Sequence, residues 1–249
     1  MNIDALKEYS QKRGLNLGQA EKDYYQNLLL FIIYRQVKSG LVFKGGTALS
    51  KCYGLNRFSE DLDFSAAEAI DFRKTTSDGL SSFGVRHRIR ETPDGAKSQS
   101  FMAKIEGPLY KNSEKTLCSI TLETSFRETL CLPPIVKTIG HHMDIIPVFD
   151  VLAMPEPEIM AEKSRAVMMR DSARDIYDLC FLIDRGTAPD REMIEKKLAF
   201  AGLKYSVSSF SRACKAKRRI WQPELKSLVK NVPDFDECLA KVLNAYSKI

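Results

Sequence analysis

Apolar residues near the start of the chain recur at helical spacing. Leu28, Leu29, Ile32, Ile33 and Val37 would share one face of a helix that starts at an Asn16 cap and runs to about Lys38, before Gly40. A shorter helix, Ile3 to Arg13, precedes it and stops at Gly14. The pattern then shortens: Leu41-Val42-Phe43 reads as a buried strand, Gly45-Gly46 as a turn, and Thr47 to Tyr53 as a brief helix ended by Gly54. A second strand is expected over Asp61 to Ser65 and a helix from about Ala66 to Phe83. Three segments then alternate as strands do: Val85 to Glu91, Ser100 to Glu106 and Thr116 to Phe126, with a hairpin turn in Thr92 to Ser98. In the last, Cys118, Ile120 and Leu122 point one way and Ser119, Thr121, Glu123 and Ser125 the other. Beyond Phe149-Asp150-Val151-Leu152 the pattern is helical to Ile249, with Pro155 and Pro157 at a helix start and breaks near Gly186, Gly202, Pro223 and Pro233. The expected organisation is an α/β (α+β) domain over 1–153, opened by helices in 1–40, and an all-helical domain over 154–249.

Composition narrows the class. The 249 residues are 44% hydrophobic and 28% charged, as in a globular protein with a sizeable core. The longest apolar run, Leu28 to Tyr34, falls short of the roughly 18 residues that cross a bilayer. The first residues lack the basic and apolar regions of a signal peptide, so a cytoplasmic location without membrane contact is expected. Six cysteines without a CxxC pair suggest reduced, mostly buried thiols rather than a zinc site. Net charge is only +6, but Leu203 to Arg219 holds six bases and no acid. That stretch suits a phosphate-bearing partner or a solvated helix face.

The chemistry concentrates in Phe43-Lys44-Gly45-Gly46-Thr47-Ala48-Leu49 and Arg57-Phe58-Ser59-Glu60-Asp61-Leu62-Asp63-Phe64. Two glycines let backbone approach a bulky anion, and a helix starting there aims free N–H groups and its positive end at it. Lys44 would add a charge and Thr47 a hydroxyl. The spacing is not that of a P-loop, and a Gly-Gly pair also serves as a plain tight turn. Asp61 and Asp63, at i and i+2 of a strand, share a face, where two like charges call for a cation between them. Magnesium suits such a pair because it takes carboxylate and phosphate oxygens together. A solvated acidic strand end has the same pattern. Glu123, on the polar face of its strand, is the candidate third carboxylate, with Glu106 as an alternative.

These residues resemble a known signature. Lys44-Gly45-Gly46-Thr47-Ala48-Leu49, Tyr53-Gly54-Leu55, Arg57-Phe58-Ser59 and Asp61-Leu62-Asp63-Phe64 are similar to the AbiEii/AbiGii nucleotidyltransferase-like toxins of the DNA polymerase β-type superfamily. A second block, Glu162-Lys163-Ser164-Arg165-Ala166 with Arg174-Asp175-Ile176-Tyr177-Asp178-Leu179, also resembles that family, so the resemblance covers Leu41 to Ile183. It implies a nucleotidyltransferase fold with a mixed sheet and a helical C-terminal domain that completes a cleft. It also implies transfer of a nucleoside monophosphate from an NTP to an acceptor, with a tRNA 3′ end the leading candidate. By the same resemblance Lys44, Gly45, Gly46, Thr47 and Ser59 would hold the nucleotide. Asp61 and Asp63 would bind Mg2+ (or Mn2+) and act in catalysis, with Glu123 from the strand pattern as the third carboxylate; Lys163 would cover the phosphates, and Asp175, able to reach the same side, would act with it. A winged-helix antitoxin would be the cognate partner. Transfer to a protein or small molecule, a kinase-like use of the fold, and a non-catalytic nucleotide-binding interaction protein remain open at this point.

Other features have plainer readings. Arg86, Arg88 and Arg90 alternate on one strand face, where they would contact nucleic acid or protect an edge strand. Arg174 and Asp178 suit a buried salt-bridge network that docks helices. Trp221 suits a core anchor, and His141-His142 is given no role because adjacent side chains seldom converge on one ion.

Overall fold

The computed structural model describes residues 1–37, 39–92, 95, 97–126, 130–140 and 146–249. These residues form two compact units. The first comprises Met1–Ala48, Glu60–Arg127 and Ile135–Ala153; the second comprises Leu49–Ser59, Glu128–Pro134 and Met154–Ile249.

The first unit is built on a mixed sheet of seven strands among the described residues: β1 (Leu41–Lys44), β2 (Leu62–Ala66), β3 (His87–Glu91), β4 (Ser98–Ile105), β5 (Cys118–Ser125), β6 (Ile135–Ile139) and β7 (Phe149–Ala153). Their order is β3-β4-β5-β2-β1-β7-β6. β2 runs parallel to β5 and β1 parallel to β7, and the remaining neighbours are antiparallel. Helices α1 (Ile3–Arg13), α2 (Leu17–Gln36) and α4 (Arg73–Ser82) belong to this unit, as does the first turn of α3 (Gly45–Tyr53). Asn16 caps α2 through a reciprocal capping box with Gln19. Gly14, at φ 65°, ends α1.

One sheet face is apolar and holds the core. Phe43, Phe64, Leu122, Phe101, Ala103 and Ile120 are buried there, and Phe64 packs against Phe43, Phe72 and Tyr34 of α2. Strand alternation places polar side chains on the reverse face.

The second unit contains α5 (Glu156–Met169), α6 (Arg174–Asp184), α7 (Arg191–Ala199), α8 (Val207–Ala216), α9 (Arg218–Leu225) and α10 (Phe235–Tyr246). Pro155 caps α5, and glycines at φ 85° and 67° (Gly186, Gly202) follow α6 and α7. Pro223 lies inside α9 rather than breaking it: it falls in the last turns, and the helix ends two residues later. The helix expected from Ala66 begins only at Arg73, where the Asp71 side chain accepts from the Arg73 backbone N–H at 3.0 Å. No helix among the described residues is long and apolar enough to cross a membrane.

Candidate active site

The strand register gathers one row of side chains across the polar face of the sheet unit. Lys44 on β1 is directly opposite Asp63 on β2. Asp63 is beside Glu123 on β5, and Glu123 is beside Ser100 on β4. Directly paired residues project to the same face, so the order across the sheet is Lys44, Asp63, Glu123, Ser100. Asp61 stands two residues ahead of Asp63 at the entrance to β2; it is half-buried, and Glu123 is exposed.

The chain reverses at a single residue. β1 ends at Lys44 and α3 begins at Gly45, whose φ is 75°. A Cβ at Gly45 would lie 2.4 Å from Asp63 Oδ2 and 3.1 Å from its Cβ and Cγ. The glycine is therefore required twice, by its left-handed backbone and by the carboxylate pressed against it. That carboxylate sits at the positive end of α3, where first-turn N–H groups lack intrahelical acceptors. Thr47 is buried, and its hydroxyl donates to the Asp61 carbonyl oxygen at 2.5 Å. The hydroxyl expected to meet a triphosphate is thus used to tie α3 to the residue that opens β2. What Thr47 has left for an anion is its backbone N–H.

Ser59, Lys163 and Asp175 belong to the second unit. Ser59 is half-buried just ahead of Glu60. Lys163 of α5 is buried, with Nζ 3.0 Å from Asp175 Oδ1 and 2.6 Å from Asp178 Oδ2. The expectation of a phosphate-facing lysine therefore meets an ion pair inside the helices. Arg57 closes the network, donating Nε and the Nη2 amine to the two Asp178 oxygens at 2.6 and 2.7 Å. Arg170 makes a second bidentate pair with Asp175, at 2.7 Å on both oxygens. Burial pushes the Asp175 and Asp178 carboxyls up, but Lys163 and Arg170 beside the first, and Arg57 and Lys163 beside the second, outweigh it and hold both below the ordinary range. Burial likewise disfavours the Arg57 cation, and Asp178 more than compensates.

Arg57 had no role in the sequence reading, although it stands in the quoted motif; its partner lies 121 residues away, and no local pattern signals that pairing. Arg174, expected in this network, instead faces Glu224 at 3.7 Å and is partly exposed. A second buried pair, Lys197 with Glu158 at 2.7 Å, also went unseen; Glu158 accepts in addition from the backbone N–H of Cys131 and of Leu132.

The remaining candidates resolve differently. Trp221 is buried, donates Nε1–H to the Pro233 carbonyl at 2.9 Å and packs on Phe235, as an anchor does. In the basic stretch, Lys217 is buried against the Arg170 carbonyl and Asp171, and Arg218 pairs with Asp236. His141 and His142 lie outside the described residues. None of the six cysteines is in a disulfide. Among the described residues no group of three or more His, Cys, Asp or Glu side chains is drawn together tightly enough to hold a metal unaided.

Comparison with known proteins adds the family. The family model described as "Nucleotidyl transferase AbiEii toxin, Type IV TA system" matches residues 29–241. Among solved structures, the fold is similar to MenT4, a nucleotidyltransferase toxin of Mycobacterium tuberculosis H37Rv. That match has TM-score 0.71 and 20% identity, and covers 99% of this chain and 89% of that one. It is also similar to JHP933 from Helicobacter pylori, with TM-score 0.60 and 19% identity over 92% of this chain and 90% of that one. No curated protein matches the sequence. The mixed sheet with flanking helices is thus the architecture of known nucleotidyltransferase toxins. With the family model spanning both carboxylate-bearing strands and the second motif block, the chain belongs to the AbiEii nucleotidyltransferase toxins of type IV toxin–antitoxin systems.

Proposed function

We propose that the row Lys44, Asp63, Glu123, with Asp61 and the start of α3, is the nucleotidyl-transfer site, that it works with Mg2+, and that its acceptor is the 3′ end of a tRNA. The observation that carries this reading is the register that sets Asp63 beside Glu123 and opposite Lys44, with Gly45 open against the Asp63 carboxylate. One or two of these carboxylates suit a hard cation whose remaining ligands are substrate phosphates, since magnesium is commonly held in that way. When bound, the ion neutralises charge on the α-phosphate and the departing pyrophosphate. Mn2+ would serve in the same donor set.

The chain's own residues supply the rest. The backbone N–H groups at Gly45, Gly46 and Thr47 and the Lys44 ammonium hold the triphosphate. Glu123 takes the proton from the acceptor hydroxyl, whose oxygen forms the new bond to the α-phosphorus. The bond from that phosphorus to the bridging β-phosphate oxygen breaks, and pyrophosphate leaves with the electron pair. Ser59 is proposed as a further nucleotide contact. Lys163 and Asp175 are proposed to act on the reaction by holding the helical unit in shape. The antitoxin that the family implies is proposed to be a winged-helix protein.

The test uses α-labelled NTPs, magnesium and total tRNA. Wild-type protein is expected to label RNA, and Asp61→Asn with Asp63→Asn to lose about three orders of magnitude in rate, of the size seen when developing charge loses its main stabiliser. Undiminished labelling in the double variant would remove the carboxylates from the site. Label on protein rather than RNA would replace the acceptor. Transfer only from γ-labelled NTP would replace nucleotidyl transfer by phosphoryl transfer. Tight NTP binding with no transfer at all would leave a binding protein.

A further inference from the structure

The polar sheet face continues beyond the carboxylates. In the next row Thr121 on β5 pairs with Met102 on β4, and Met102 with Arg90 on the edge strand β3. The same register, carried one step past Leu62 opposite Leu122, brings Thr121 level with Asp61. The row therefore runs Asp61, Thr121, Met102, Arg90 across three strand spacings, about 14 Å.

The arginines of β3 differ in their partners. Arg86 pairs with Glu106 at 3.2 Å. Arg88 pairs with Glu114 at 2.9 Å, and Lys104 shares that acid at 2.7 Å. Arg90 is exposed and makes no ion pair among the described residues. An arginine stripe that only protected the edge would not need this division. The guanidinium left without an acid is the one whose row, carried past β2, reaches Asp61, and between them lie a polarisable methionine and a hydroxyl, both half-buried.

We infer that this row is a bench for the terminal nucleotides of a single-stranded nucleic-acid acceptor, with Arg90 contacting a backbone phosphate while the terminal hydroxyl reaches the carboxylates. The inference rests on the proposed transfer site and adds to it the surface that selects a phosphodiester chain over a lone hydroxyl compound. Met102 offers a surface for a sugar or base, and Arg90 a bidentate donor for a phosphate. An acceptor must be longer than one nucleotide to touch both ends of the row.

The experiment is steady-state transfer of labelled nucleotide to total tRNA by wild type, Arg90→Gln, Arg90→Lys and Arg88→Gln, over a range of salt. Arg90→Gln is expected to raise the acceptor KM about tenfold, the size of one charged contact, with kcat and the NTP KM unchanged. The slope of log(kcat/KM) against log salt should become shallower by about 0.7, the amount for one single-strand phosphate contact. Arg90→Lys should restore most of the slope, and Arg88→Gln should change it little. RNA labelling with wild-type KM and slope in Arg90→Gln overturns the bench and leaves the transfer site standing, as does an equal loss in Arg88→Gln. Wild-type transfer to protein instead of RNA overturns the bench together with the proposed tRNA acceptor, and leaves the carboxylate site standing.

Discussion

Acidic residues stand in opposite surroundings in the two units. In the helical unit Asp175 and Asp178 are fully buried, and three fixed cations, Arg57, Lys163 and Arg170, use up their oxygens. In the sheet unit Glu123 is exposed and Asp61 half-buried, and neither has a cation partner among the described residues. A carboxylate matched permanently by guanidinium and ammonium groups has its charge balanced before any ligand arrives, so it shapes the protein. Asp61 and Glu123, without such matching among the described residues, keep a charge that an incoming cation can balance. Asp61 and the two buried aspartates all sit in motif blocks of the same family, so motif membership alone does not tell the two kinds of acid apart.

The difference is broken most forcefully at Asp178. Asp178→Ala leaves the buried Arg57 guanidinium unpaired and should cost about 3–5 kcal/mol. Urea unfolding followed by Trp221, the one tryptophan and buried in α9, reads the helical unit directly. An unfolding midpoint like wild type would show that the network is not what holds the helices. Replacing both partners, with Arg57→Met and Asp178→Leu, should recover part of the loss, because no buried charge is then orphaned.

Acid is the next lever. Asp175 and Asp178 are both held below an ordinary value of 3.8, the folded state favouring the ionised form. Their stabilisation is therefore complete above that value and is lost as pH falls below about 4, since the unfolded chain takes up protons first. Each such carboxylate changes stability by up to about 1.4 kcal/mol per pH unit in that window. Glu21 of α2 is shifted the other way by burial, against the opposing hydrogen bond from Leu109 N–H, so protonation there removes a cost. Trp221 emission should report loss of structure below pH 4, and Asp178→Asn should flatten that dependence. The same acid slope in both proteins would mean the network does not govern it.

How much of this could be read from residues alone follows the range of each interaction. Local signals were legible: the Asn16 cap, the Gly14 stop, and the alternation that puts Glu123 on the polar face of β5. The strands β6 and β7 were not: β7 is placed by parallel pairing with β1 more than a hundred residues earlier, and β6 is mostly exposed and pairs with β7 at the sheet edge. Alternation told which way Asp63 and Glu123 face but not that β2 and β5 are neighbours. Likewise the Arg57–Asp178 pair depends on contact across the chain, which spacing does not encode.

Gly45 tests the sheet side of the comparison. Gly45→Ala forces a Cβ into a left-handed residue, costing about 1–2 kcal/mol, and drives it into Asp63. Stability should fall modestly, by urea unfolding followed by far-UV circular dichroism, while nucleotidyl transfer falls further because the carboxylate is displaced. Wild-type turnover in Gly45→Ala would mean that the position of Asp63 is not critical.

The smallest change in stability is expected at Glu123, and it separates the two kinds of acid most cleanly. Its side chain is exposed on β5, beside Asp63 and Ser100, with no ion pair among the described residues to lose. Glu123→Gln keeps size and shape and should stay within about 0.5 kcal/mol of wild type in urea. If Glu123 removes the acceptor proton, transfer should nevertheless drop by about 10²–10⁴. Acceptor and NTP binding should persist, since the amide still fits the row. A loss of stability without a loss of rate would place Glu123 with the buried aspartates, as an acid that holds the sheet rather than one that handles a proton.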